Sequence, residues 1–217
     1  MRTRIKICGI TRQEDLRFAA HAGADAVGFV FHPGSKRYVS VQQAAQLSRE
    51  LPAFVSSVAL FVNPEPSSVQ ELISIVRPSF LQFHGEETPD FCESFSVPYI
   101  KAFRVGAPDM DSPQALSQYC LKYHSASGWL FDSYTPAYGG SGHSFDHTLL
   151  SELIALEESV RRPVILSGGL IPSTVEETVR RLRPWSVDVS SGVELEPGIK
   201  SPELMAAFIS AIKNADR

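Results

Sequence analysis

Two side chains in this chain are well suited to moving protons, a cysteine near its start and an aspartate past its middle. Cys8 ends the run Lys6-Ile7-Cys8 and precedes Gly9, while Asp132 ends Trp129-Leu130-Phe131-Asp132. Each stands where a short apolar run gives way to a turn. A thiol accepts a proton only as thiolate, a form favoured by nearby cations or helix N–H groups and disfavoured by apolar burial. Without such neighbours Cys8 is an inert core residue. A carboxyl in a partly dry setting stays protonated near neutrality and can donate; otherwise Asp132 caps the next segment or pairs with a base. Arg37, in His32-Pro33-Gly34-Ser35-Lys36-Arg37, offers a planar fork that clamps a carboxylate through two parallel hydrogen bonds. Its plainer reading is a solvated loop cation, and Lys36 is a weaker candidate for the same task. His84, in Gln82-Phe83-His84-Gly85, orients a hydroxyl, supports another side chain or is a satisfied structural histidine.

Two small-residue turns late in the chain suit a different ligand. Ser167-Gly168-Gly169 follows Pro163-Val164-Ile165-Leu166, and Ser190-Ser191-Gly192 follows Val187-Asp188-Val189. Glycine lets backbone N–H groups approach an anion closely, and serine adds a hydroxyl without bulk. One such turn reads as an ordinary strand-to-helix link. Two of them, at the last two strands of a regular array, point to a phosphate cradle and a small phosphorylated metabolite.

These groups need a scaffold that brings distant segments together. Short Val-, Ile-, Phe- and Leu-rich runs alternate with amphipathic stretches, which predicts repeated βα units around a parallel sheet. About eight units are visible in the sequence, the number that closes a barrel. The strands are expected at Ile5–Cys8, Ala26–Phe31, Ser57–Val62, Phe80–His84, Tyr99–Arg104, Gly128–Asp132, Pro163–Leu166 and Ser186–Val189. Helices are expected from Thr11 to His21, opening on a Thr11/Glu14 capping box, and from Ser40. Others should cover Ser67–Val76, Pro89–Phe95, Pro113–Tyr123, Asp146–Glu158, Ser173–Leu182 and Pro202–Lys213. In a parallel barrel the loops after the strands share one mouth. That rule gathers Cys8, Arg37, His84, Arg104, Asp132, Asp188 and the glycine turns, together with the Gly/Ser-rich loop around Gly140, Ser141 and Gly142.

With 217 residues, 43% of them hydrophobic, the chain has the size of one catalytic α/β barrel domain spanning residues 1–217. A net charge of −4 argues against nucleic acid as partner. Three widely spaced cysteines, Cys8, Cys92 and Cys120, form neither a disulfide framework nor a metal-ligand pattern and fit a reducing cytoplasm. The N-terminal charge is not followed by an apolar core of signal-peptide length, and Val55 to Val62 is too short to cross a membrane.

The ordered blocks KICGIT, GFVF…SKRYVS, QFHGEE, LFDS, YGGSGHSFD, LSGGL and DVSSGVE span nearly the whole chain, which resembles the phosphoribosylanthranilate isomerases. The resemblance implies a (β/α)8 barrel that needs no metal or cofactor. It implies conversion of N-(5-phosphoribosyl)anthranilate to 1-(2-carboxyphenylamino)-1-deoxyribulose 5-phosphate by Amadori rearrangement, in tryptophan biosynthesis. It makes Cys8 the general base, Asp132 the general acid and Arg37 the ligand of the anthranilate carboxylate. Gly140, Ser141 and Gly142 become a substrate-covering loop. Ser167, Gly168, Gly169, Ser190, Ser191 and Gly192 become the phosphate cradle, and Asp188 a contact for a ribose hydroxyl. His147 departs from the tryptophan usual in the family. Pro197 and Gly198 leave room for a short extra phosphate-facing helix between Val193 and Lys200. The expected assembly is a monomer or a homodimer. Two other readings share the phosphate turns: a pentose-phosphate epimerase or indole-forming synthase, and a catalytically silent barrel that binds phosphorylated metabolites.

Overall fold

In the computed structural model, residues 2–107, 109–134, 144–156 and 160–217 are described. Eight parallel strands pair in chain order and close on themselves. They are β1 Arg4–Cys8, β2 Ala26–Val30, β3 Ser56–Phe61, β4 Phe80–Phe83, β5 Tyr99–Val105, β6 Gly128–Ser133, β7 Val164–Leu166 and β8 Ser186–Val189. Closure is made by β1 against β8, with Lys6 opposite Asp188 and Ile7 opposite Val189.

The alternation of a strand sorts side chains between two cores. Ile5 and Ile7, Val27 and Phe29, Phe103, and Val187 and Val189 join the large cluster between strands and helices. Their neighbours therefore point into the barrel. Val58, Ile100, Ala102, Leu130 and Ile165 fill its lower part, while Cys8, Val30 and Leu60 form a smaller apolar cluster nearer the rim.

The α-helices among the described residues are α1 Gln13–Ala22, α2 Val41–Ser48, α3 Pro66–Val76, α4 Pro89–Glu93, α5 Pro113–Leu121, α6 Ser151–Ala155, α7 Val175–Leu182 and, after the last barrel strand, α8 Pro202–Ala215. Ser40, Thr88, Ser112 and Ser201 each accept a backbone N–H as N-caps, each cap worth about 1 kcal/mol. The first helix departs from expectation. Its N-cap is Arg12 and no side chain caps it, because Thr11 Oγ1 donates to the Gly198 carbonyl and Glu14 pairs with Arg12 instead. Within the expected helix Asp146–Glu158 the described residues form a 3-10 turn, His147–Leu150, capped by Asp146 and followed by α6, while Glu158 lies outside the described residues. No extra helix follows β8. A single 3-10 turn at Ser191–Val193 leads into an antiparallel ribbon of β9 Glu194–Glu196 and β10 Ile199–Lys200, turned at Gly198 with φ 89°.

Candidate functional site

Alternation aims Lys6 and Cys8 of β1, Asp132 of β6 and Asp188 of β8 into the barrel, Cys8 and Asp132 at the carboxyl ends of their strands. Cys8 is buried at 5% exposure. Burial pushes its thiol above the ordinary value, the Lys6 ammonium pulls it back, Asp188 raises it and Lys200 lowers it. Asp132 is more open, its side chain 21% exposed. Its Oδ1 accepts the Ser133 amide at 2.9 Å, and its Oδ2 lies 3.4 Å from His84 Nε2. Gln82 Nε2 stands 3.2 Å from His84 Nδ1. The imidazole is thus held between the Gln82 amide at Nδ1 and the Asp132 carboxyl at Nε2. His84 stands beside Asp132 at the rim. Gly168 completes this corner: a Cβ there would lie 2.5 Å from Ser133 Oγ and 3.0 Å from Asp132 Oδ1.

Arg37 follows β2 and is folded back over β1. A Cβ on Gly9 would meet Arg37 Cδ at 2.5 Å, so the bare glycine of KICGIT makes room for the arginine stem beside Cys8. The fork is engaged by a carboxylate of the chain itself. Arg37 Nε and Nη2 donate to Glu194 Oε1 and Oε2 at 2.8 and 2.7 Å, and Lys200 Nζ reaches Glu194 Oε1 at 2.7 Å. Burial pushes Glu194 up, but these two cations outweigh it and the carboxyl sits below its usual value.

The two glycine turns touch. A Cβ on Gly192 would fall 1.9 Å from the Leu170 carbonyl oxygen, so residue 192 must be glycine for the turns after β7 and β8 to lie together. Gly168 and Gly169 take φ of 82° and 66°, a region other residues enter at a cost. Ser190 differs from the free hydroxyl expected of a cradle: its Oγ donates to the Cys8 carbonyl at 3.0 Å, and Lys200 Nζ donates to its carbonyl at 3.0 Å. What it offers an anion is backbone. The assembled rim thus carries a thiol, a carboxyl group and two abutting glycine turns on one closed parallel barrel.

The family profile described as N-(5'-phosphoribosyl)anthranilate (PRA) isomerase matches residues 5–211. The chain belongs to this isomerase family. It is 54% identical over 217 residues to the N-(5'-phosphoribosyl)anthranilate isomerase of Bordetella parapertussis, covering all of this chain and 99% of that one. Among solved structures, the Thermotoga maritima phosphoribosyl anthranilate isomerase superposes with a TM-score of 0.86 at 42% identity, covering 98% of this chain and 99% of that one. Another isomerase of the family, at 37% identity and TM-score 0.82 over 98% and 99% of the two chains, was solved with reduced 1-(o-carboxyphenylamino)-1-deoxyribulose 5-phosphate.

Gly140, Ser141 and Gly142, expected as a covering loop, lie outside the described residues. His147, where the isomerase family often carries tryptophan, packs edge-on to Phe145 with ring centroids 4.9 Å apart, and its Nδ1 meets Arg181 Nη2 at 2.9 Å. Sequence reasoning missed Lys6, Glu194 and Lys200. The signal for Lys6 was available, since a lysine two residues before Cys8 in a strand must share its face. Glu194 and Lys200 had none, because only the ribbon after β8 brings them back to Arg37.

Proposed function

We propose that Cys8 and Asp132 divide the proton transfers of an Amadori rearrangement between them, within one catalytic domain. The chain catalyses the isomerisation of N-(5-phosphoribosyl)anthranilate to 1-(2-carboxyphenylamino)-1-deoxyribulose 5-phosphate, a step of tryptophan biosynthesis. The supporting observation is the shared rim: Cys8 ends β1 and Asp132 lies one residue from the end of β6, both inward, beside two turns that Gly192 allows to abut.

Asp132 protonates the ribose ring oxygen, and the C1–O bond opens to an iminium. That cation acidifies the C2 proton, which the Cys8 thiolate removes to give an enolamine, and tautomerisation yields the ketone. The backbone of Ser167, Gly168, Gly169, Ser190, Ser191 and Gly192 holds the phosphate. Arg37 takes the anthranilate carboxylate by exchanging it for Glu194, which stays on Lys200. Asp188 contacts a ribose hydroxyl, and Gly140, Ser141 and Gly142 cover the substrate. The reaction needs neither metal nor cofactor.

Among the described residues no helix is long and apolar enough to cross a membrane, and the proposed setting is the cytoplasm. A Thermotoga maritima relative is described as dimeric; here monomer or homodimer is decided by sedimentation. Freshly made phosphoribosylanthranilate tests the activity. Added protein should abolish the substrate's fluorescence and yield the carboxyphenylamino ketose. Persistent fluorescence, or a different product, would reject the reading.

A further inference from the structure

A buried cation stands beside the proposed base with no part in the chemistry so far described. Lys6 is 3% exposed, and an ammonium in such a place is costly unless it is paired. Its partner is its direct neighbour across the closing strands, Asp188, with Oδ1 at 2.9 Å from Nζ. On the other side of β1, Cys8 lies opposite Gly28. A Cβ on Gly28 would be 2.7 Å from Cys8 Sγ and 3.2 Å from Lys6 Cε. Sulfur and lysine terminus therefore close over the same bare Cα, and the ammonium charge favours the thiolate against the cost of burial.

The other charged groups that bear on Cys8 are Asp188, Lys200 and Arg37. Lys200 and Arg37 share Glu194. Among the described residues this cluster sets the cations Lys6, Arg37 and Lys200 against the carboxylates Asp188 and Glu194, leaving one positive charge in excess. That excess favours an anion here, the Cys8 thiolate or a carboxylate brought to Arg37.

We propose that Lys6, anchored by Asp188, is a positioning residue that stabilises the Cys8 thiolate and aims its sulfur at the carbon that loses the proton. The assignment rests on the reading of Cys8 as the base. In that step an S–H bond forms as the C2–H bond breaks. The C–H electron pair becomes the C1–C2 double bond, and the iminium nitrogen recovers its lone pair. Lys6 keeps its proton throughout, and Asp188 remains its counter-ion once the sulfur is neutral.

The test is the pH titration of thiolate absorbance in the full-length protein, with Cys8→Ser subtracted to remove Cys92 and Cys120, beside the pH profile of kcat/KM. Lys6→Met should cut the thiolate fraction at a fixed pH about tenfold and move the rising limb of the rate profile by the same amount. Asp188→Asn should move the thiol ionisation in the opposite direction, and if Lys6→Met does not fold, Lys6→Gln carries the same test. An ionisation unmoved in both variants overturns the role of Lys6 and leaves the base assignment untouched. A moved ionisation with an unmoved rate profile overturns Cys8 as base, and the role of Lys6 with it.

Discussion

Burial alone makes Cys8 a reluctant thiolate, and its lysine neighbours only partly offset that, so its ionisation lies above the ordinary thiol value. A general base works deprotonated. The parent kcat/KM should therefore rise with pH through this elevated ionisation, and the limb should vanish in Cys8→Ser. A profile identical in the two proteins would move the base elsewhere. Cys8→Ala and Asp132→Asn should each lower kcat by about 10²–10⁴-fold while product affinity, set by the phosphate, changes little. The rim positions of Cys8 and Asp132 were legible because each ends an apolar run. The state of the thiol was not, because it depends on Lys6 and Asp188, which are 182 positions apart and meet only when β1 closes on β8.

The turns after β7 and β8 depend on one close approach. Gly192→Ala puts a methyl into the Leu170 carbonyl, so the turns must part; KM should rise several-fold and stability fall by about 1–3 kcal/mol. Ser191→Glu should weaken binding without slowing the chemical step, because it sets negative charge beside the phosphate. An unchanged KM in both would remove these turns from the site. Behind β4 and β5, Lys101 and Glu87 form a buried pair at 2.9 Å that also holds the Gly85 amide and carbonyl. Lys101→Met leaves that carboxylate unpaired and should cost about 3–5 kcal/mol in urea unfolding, whereas Arg17→Ala, at an exposed pair with Glu50, should leave the midpoint unchanged. The eight barrel strands were legible to within one residue at every end because buried parallel strands are continuous apolar runs. The start of α1 was not. A Thr-x-x-Glu spacing looks the same whether the threonine caps a helix or, as here, reaches across to Gly198.

The barrel closes where its two ends meet, and the ribbon after β8 fastens that seam through Glu194, Arg37 and Lys200. Because the folded Glu194 carboxyl lies below its usual value near 4.5, its contribution to stability is complete above that pH and is lost as pH falls through the lower folded value. The gap in urea midpoint between parent and Glu194→Gln should accordingly shrink on acidification; a constant gap would contradict the linkage. Barrel closure was readable from the count and order of βα units. The ribbon was not, since its strands are only three and two residues long and mostly polar. Catalysis by this pair requires that the sulfur and the carboxyl flank one sugar whose phosphate lies on the closing turns. A crystal structure with the reduced product bound measures this directly. It should show Cys8 Sγ within about 3.5 Å of C2, Asp132 at the oxygen freed from the ring and the phosphate on the amides of the turns containing Gly168 and Ser191. A ligand whose C2 lies away from Cys8, or whose phosphate rests elsewhere, would contradict it.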